Sequence, residues 1–377
     1  MKKILLFLSL GLLISLSANA QKNKRTSAYM YNKNGEYGKA MEAINDAIKN
    51  EKTMNDAKTW MYRGEIYYHI AASDKPEINA LAKNAAITSY ESFAKAKELD
   101  KKGTFNGEIT LNLINLTNLF YKKGSETYQN KDYEKSMRDF DYAYKIANLE
   151  DRLDTIAAFY AGMSAYFIDS AKVADQYLKT VYESGFNDPT IYIFYNRTLK
   201  MLGDTAQAIA VLQQGRERNP GNLSLLLEEA QIYLEKGETE KLQVSLKEAI
   251  KKDTTNANLY FLLGKTYDDE GQKEEAEKYY TKATQANPKF FEAFYNIGAI
   301  YVNQAAELQK EANDLPLDKV DEYNKLIKKA NEELTYALPY LEKAHEINKT
   351  DKVTINALKE AYVRLKMNDK LKELNNE

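Results

Sequence analysis

Cysteine is absent from this 377-residue chain, and only two histidines, six prolines and one tryptophan are present. Without cysteine there are no disulfides, no thiolate nucleophile and no zinc site of the cysteine type. With His69 and His345 far apart in sequence, no histidine-rich ligand set can be assembled from neighbours. The scarcity of proline leaves room for long uninterrupted helices. Neither charge sign dominates: 53 basic and 55 acidic residues give a formal net charge of −2. Lys and Glu are interspersed at helical spacing rather than gathered into a basic stripe, which argues against a nucleic-acid partner. No Gly-rich phosphate loop follows a strand, and no run of alternating residues reads as a strand.

The hydrophobic content of 44% and charged content of 29% are enough to bury a large core. The amino terminus has its own pattern. Met1-Lys2-Lys3, the apolar run Ile4–Leu16 and the small tripeptide Ala18-Asn19-Ala20 have the three-part form of a secretory signal peptide, with cleavage expected before Gln21. The apolar run is too short to span a bilayer and no stop-transfer segment follows, so no transmembrane segment is expected in the mature chain. The expectation is an exported protein of the periplasm or cell surface of a Gram-negative bacterium.

Ala257–Pro288 carries the clearest internal pattern. Counting Ala257 as the first position, Tyr260, Leu263, Gly264 and Tyr267 hold positions four, seven, eight and eleven, followed by Gly271, Ala276, Tyr280, Ala283 and Pro288. The small residue of the second half recurs at Ala47, Ala96, Ala143, Val181, Gly215, Ala249, Ala283 and Ala344, at steps of 49, 47, 38, 34, 34, 34 and 61, so that three consecutive steps between Val181 and Ala283 are 34. Unrelated helices have no reason to keep phase. This stretch resembles the tetratricopeptide repeat, a helix-turn-helix unit of 34 residues. The resemblance implies an all-α fold, a right-handed α-solenoid of such hairpins with a terminal capping helix. Gly264 and Ala276 would sit where the two helices cross, with Tyr260, Leu263, Tyr267 and Tyr280 packed around them.

The expected organisation is a signal peptide at 1–20 and a single solenoid over 21–377. Within it, irregular repeats cover 22–180 and regular ones 188–288. The second irregular unit has an enlarged turn at about 71–81. The eighth repeat, 290–350, has its two helices lengthened into a long hairpin turning at Asp314–Asp318. About 13 extra residues per arm would carry it on the order of 20 Å beyond the stack, either as a contact arm or folded back as a cap. Residues 351–374 read as a capping helix.

The resemblance also implies an inner groove lined from each first helix. Carrying the family's groove positions over by register selects Met61, Tyr68, Tyr121, Tyr128, Phe159, Met163, Tyr166 and Phe167, then Ile193, Arg197, Leu227, Phe261 and Tyr295. An aromatic groove rimmed by charge suits an extended peptide or an amphipathic helix, so the implied function is a non-enzymatic protein-interaction scaffold in the cell envelope. The lysine–asparagine clamp by which some members grip chaperone tails is missing: Thr190, Ile193, Phe194 and Arg197 occupy its positions in one repeat and Asn258, Phe261, Leu262 and Lys265 in another. A carbohydrate- or peptidoglycan-associated protein is the alternative, since stacking aromatics are present; an enzyme is the weakest reading.

Two carboxylate patterns invite a chemical role. Glu65 and His69 stand one helical turn apart, half of a metal or acid/base site, but a surface pair has the same spacing. Asp268-Asp269-Glu270 lacks the twelve-residue ligand spacing of a calcium loop and reads as a helix end. No cofactor is implied. Finally, Thr155, Ser170, Thr205 and Thr254 each follow an Asp and precede Ile, Ala, Ala and Thr. These tripeptides resemble the O-glycosylation acceptor of Bacteroidota, although Asp with Ser or Thr is also what helix caps and turns use.

Overall fold

The structure, a computed structural model, describes residues 24–376, and the signal peptide and its cleavage site lie outside them. The described residues form nine successive helical hairpins and no strand. The first is α1 (24–33) with α2 (Tyr37–Ala47). The second is α3 (Ala57–Ala72) with α5 (Ala85–Leu99), and the short α4 (Pro76–Asn79) occupies the enlarged turn between them. Three more hairpins follow: α6 (Asn106–Gln129) with α7 (Tyr133–Leu149), α8 (Thr155–Phe167) with α9 (Ala171–Glu183), and α10 (Pro189–Met201) with α11 (Thr205–Arg218). The remainder are α12 (Leu223–Lys236) with α13 (Thr239–Lys252), α14 (Ala257–Asp269) with α15 (Lys273–Ala286), α16 (Phe291–Asn313) with α17 (Val320–Ile347), and α18 (Lys352–Arg364) with α19 (Asn368–Asn376). The chain divides into two compact units inside α11, the first ending at Val211 and the second starting at Leu212.

Local chemistry sets the helix starts. Asp56, Asp154, Asp188, Asn222, Asn256 and Asp351 each precede the first helix of a hairpin and accept a hydrogen bond from its first-turn backbone. At Asp188 the cap is reinforced by Pro189, which supplies the right φ where no N–H is needed. Most second helices follow a turn that contains a left-handed residue such as Gly271, φ 73°, and α7 and α11 are capped in addition by Asp132 and Asp204.

In the second, fourth, seventh and eighth hairpins the crossing point is decided by one glycine. A Cβ built on Gly64 would meet the Phe93 ring at 2.6 Å, one on Gly162 the Leu178 side chain at 2.7 Å, one on Gly264 the Tyr280 ring at 2.7 Å, and one on Gly298 Leu341 at 2.6 Å. The large residue of the second helix therefore occupies the space a side chain would need, and the helices close to contact. In the fifth hairpin this position is Asn196. It is fully buried, and its Nδ2 donates to the Ala208 carbonyl at 2.7 Å, so a polar cross-link replaces close approach.

In the first unit the largest core runs from Ala28 through Phe93 and Phe120 to Ala157. Among the described residues of the second unit, one core is built on Leu226, Leu246, Leu263 and Tyr280 and another on Leu334, Leu341, Leu358 and Tyr362. The last belongs to the long hairpin. Ala305, Ala312, Ala330 and Leu334 of the hairpin are buried, and α18 reaches its outer half, with Arg364 Nη2 donating to Gln309 Oε1 at 3.2 Å. Only the tip stands clear, and Leu317 is fully exposed.

One expectation needs correcting. The final stretch is not a single capping helix over 351–374 but two helices. Lys366 adopts a left-handed φ of 58°, and Met367 N bonds back to the Tyr362 carbonyl at 2.8 Å, which ends α18 and turns the chain into α19.

Candidate functional site

Two tight turns build the principal site, in the first unit. α6 ends where Lys131 takes φ 61°, with Lys131 N bonded to Tyr128 O at 3.0 Å and Asp132 N to Thr127 O at 2.8 Å; α7 then starts with Tyr133. α8 ends in the same way: Asp169 has φ 56°, its N–H reaches Tyr166 O at 3.0 Å, and Ser170 N reaches Ala165 O at 2.9 Å. Neither turn residue is glycine, yet Asp and Lys satisfy the orphan carbonyls as a Gly would. These turns place Tyr128, Tyr133, Tyr166 and Phe167 together at one end of adjacent hairpins.

The rings are in contact throughout. Tyr128 meets Tyr133 edge-on at 5.4 Å and Tyr160 at 5.5 Å, Tyr133 stacks on Phe167 at 4.6 Å, and Phe194 of α10 closes on Tyr166 at 5.1 Å and Phe167 at 5.4 Å. The cluster continues inward through Tyr160 stacked on Phe140 at 5.0 Å, and sideways through Phe159 to Phe186 at 6.1 Å. Tyr121 joins by its edge contact with Phe140 and donates its hydroxyl to Asp154 Oδ1 at 2.6 Å. Burial, with Tyr133 and Tyr160 nearby, pushes the Tyr128 phenol up to about 12, and burial together with Asp154 raises Tyr121 as well. Both are neutral hydroxyls at physiological pH. Tyr128, Tyr133, Tyr166 and Phe194 are half-buried and Phe167 is 40% exposed, whereas Phe159 at 7% and Met163 at 8%, both expected in the groove, are buried.

The other groove residues expected from the sequence are dispersed. Met61 is corrected outright: at 1% exposure it is part of the first core and presents no surface. Ile193 is buried at 9%, and Tyr68 packs half-buried against the same core as Met61. Arg197 is exposed one turn beyond Phe194. Leu227, Phe261 and Tyr295 belong to the second unit, where Phe261 contacts Tyr280 and Phe290 at 5.5 and 5.2 Å and Tyr295 stacks on Phe291 at 6.1 Å. Tyr133, Tyr160, Phe186 and Phe194 were not among the expected groove residues: Tyr133 and Phe186 lie outside the first helices, and Tyr160 and Phe194, although on first helices α8 and α10, were not among the positions carried over as the groove lining, Phe194 having been named only at a position of the missing clamp. The available signal was an aromatic residue on each side of a turn, as in Tyr128 and Tyr133.

The Glu65–His69 pair has partners on neighbouring hairpins. His69 Nδ1 lies 2.9 Å from Asn32 Oδ1, and Asn112 Nδ2 donates to Glu65 Oε1 at 3.5 Å. Burial, then the nearby Glu108 charge, pushes Glu65 up to about 7, while burial and Lys33 lower His69. Among the described residues no three His, Asp or Glu side chains are placed to hold a metal. Asp268 and Asp269 accept from Tyr280 Oη at 3.3 Å and Lys265 Nζ at 3.2 Å. Of the acceptor-like hydroxyls, Thr205 and Thr254 are exposed and Thr155 and Ser170 partly so. The preceding Asp154, Asp204 and Asp253 serve as caps or turn acceptors.

Comparison with known proteins bears on the repeats directly. The family profile described as Tetratricopeptide repeat matches residues 257–290, the span of α14 and α15. These residues are a tetratricopeptide repeat. Helical hairpins with the same close crossing recur at Gly64, Gly162 and Gly298. A TPR repeat-containing protein of Methanocaldococcus jannaschii is 25% identical over 256 residues, 60% of this chain and 44% of the relative, so the match spans less than half of that protein. Among solved structures, the C-terminal part of a TPR repeat-containing protein from Cytophaga hutchinsonii has 14% identity and a TM-score of 0.45, covering 63% of this chain and 99% of that one. YrrB, whose structure is described as a TPR protein with an unusual peptide-binding site, has 19% identity and a TM-score of 0.39, covering 54% of this chain and 96% of that one. No described helix is long and apolar enough to cross a membrane.

Proposed function

We propose that this tetratricopeptide protein is a non-enzymatic interaction scaffold, exported to the bacterial cell envelope, that binds a peptide or helical segment of a partner protein on the aromatic cluster of the first unit. One observation carries the reading: Tyr133, Tyr166, Phe167 and Phe194 form a continuous ring surface that remains partly exposed after the hairpins have packed. Tyr and Phe have few rotatable bonds, so they supply contact area at small entropic cost, and they are enriched where partners dock. Neutral tyrosine hydroxyls at the edge of such a surface can donate to peptide carbonyls. Export rests on the Met1–Ala20 pattern, and the acceptor-like Thr155, Ser170, Thr205 and Thr254 are consistent with an exported, glycosylated chain. The test is affinity capture from envelope extracts with tagged mature chain and with a Tyr166→Ala/Phe167→Ala variant. A protein retained by the first and lost by the second supports the reading; equal retention by both overturns it.

A further inference from the structure

A second site lies apart from the aromatic cluster. Between the enlarged turn of the second hairpin and the faces of α6 and α7 is a cavity of about 340 Å³, at the small end of the range for ligand pockets. Its lining is polar and of both signs. Lys83, Lys122 and Lys123 face it, and none of the three forms an ion pair among the described residues. Arg138 is the fourth cation and pairs with Asp139, Nε to Oδ1, at 3.6 Å.

Asp139 is the unusual member. It is 6% exposed and lines the cavity; its ion pair with Arg138 is long, at 3.6 Å, and Lys123 adds a second positive charge nearby. Burial raises its carboxyl above the ordinary range. A carboxylate this enclosed is normally satisfied by donors, and here the open side is the cavity. Glu126 and Asp74 add acceptors around it. The start of α5, where Asn84 makes no side-chain cap, also lines the cavity. The first-turn N–H groups of Ala86 and Ile87, out of reach of any helix carbonyl, border the same space.

A pure anion would meet the buried Asp139, and a pure cation would meet three unpaired lysines. A ligand carrying both charges can satisfy the lysines and Asp139 together. We propose that this cavity binds a small zwitterion of the free amino-acid class, its carboxylate held by the α5 amino terminus and the lysines and its ammonium donating to Asp139. No bond is made or broken, and the site is independent of the aromatic surface.

Isothermal titration calorimetry on the full mature chain tests this, using each of the twenty free amino acids and, as half-ligands, acetate, methylammonium and inorganic phosphate. The expected result is saturable binding of at least one amino acid and weaker binding of every half-ligand. Asp139→Asn, which removes a charge-assisted hydrogen bond, should weaken that binding about ten- to a hundredfold. Because Asp139 is buried, Lys83→Ala/Lys123→Ala provides the surface counterpart; with unchanged helicity and melting temperature it should weaken binding about tenfold. No binding by any amino acid overturns the proposal. So does phosphate binding that Asp139→Asn tightens, which marks an anion site, or amino-acid binding that neither variant changes.

Discussion

Tyr133 and Phe167 stack with ring centroids 4.6 Å apart, joining the first residue of α7 to the last residue of α8. Phe167 is nonetheless 40% exposed. A contact of this kind fixes the ring orientation without burying it, as a docking surface requires. Tyr166→Ala/Phe167→Ala is therefore expected to abolish partner capture while lowering stability only modestly, by about 1–2 kcal/mol in total. Chemical denaturation alongside the capture assay separates the two effects.

Phe159 behaves differently although it belongs to the same ring cluster. At 7% exposure it is core, so Phe159→Ala should cost about 3–5 kcal/mol. A melting midpoint close to wild type would show that Phe159 is not held as tightly as its burial implies.

Gly264 offers a direct check of the helix crossing. Its missing Cβ would lie 2.7 Å from the Tyr280 ring and 3.2 Å from the Ala276 carbonyl oxygen, so one neighbour is movable and one is backbone. Gly264→Leu should destabilise by roughly 1–3 kcal/mol through overpacking, read as an earlier urea midpoint for the second unit.

Glu65 predicts a pH dependence. The folded chain holds its proton up to about 7, against an ordinary value of 4.5. Between these values the folded state binds more protons than the unfolded one, so Glu65's contribution, fully present below the lower value, is lost as pH rises through the higher. Glu65→Gln removes the titration. Thermal melts should show the variant gaining on wild type as pH increases from the lower value to above the higher one; parallel curves would place Glu65 in a more solvated setting.

Export is read at the amino terminus. Intact mass of the natively produced protein should correspond to a chain beginning at Gln21. Peptides covering Thr155, Ser170, Thr205 and Thr254 in the same digest show whether those hydroxyls carry glycan; unmodified masses at all four reduce the tripeptides to cap and turn chemistry.

Much of the fold was legible because tetratricopeptide packing is local. Gly264 and Tyr280 are sixteen positions apart, and their contact depends on one hairpin only, so spacing along the chain translates directly into the crossing. The same locality made the long α16–α17 hairpin and its turn readable from Asn303 to Thr335. The break at Lys366 was less visible, since a non-glycine residue in a left-handed conformation leaves no compositional mark.

The candidate site was legible only in part, for a different reason. Register assigns each first-helix residue a face, and the expectation for Tyr128, Tyr166 and Phe167, which share the ring cluster, came from it. Whether a ring on that face is open or covered depends on the neighbouring hairpin, and this is where Met61 and Phe167 part: one is sealed at 1% exposure, the other left at 40%. Tyr133 and Phe194 joined the surface because two turns and an adjacent α10 carry them there. The sequence by itself determined the repeating hairpin, since a helix crossing is set by residues a fixed distance apart. Tertiary structure alone decided which aromatic rings face solvent and which charged side chains share the cavity beside α5, since those outcomes depend on contacts between hairpins that no period in the chain records.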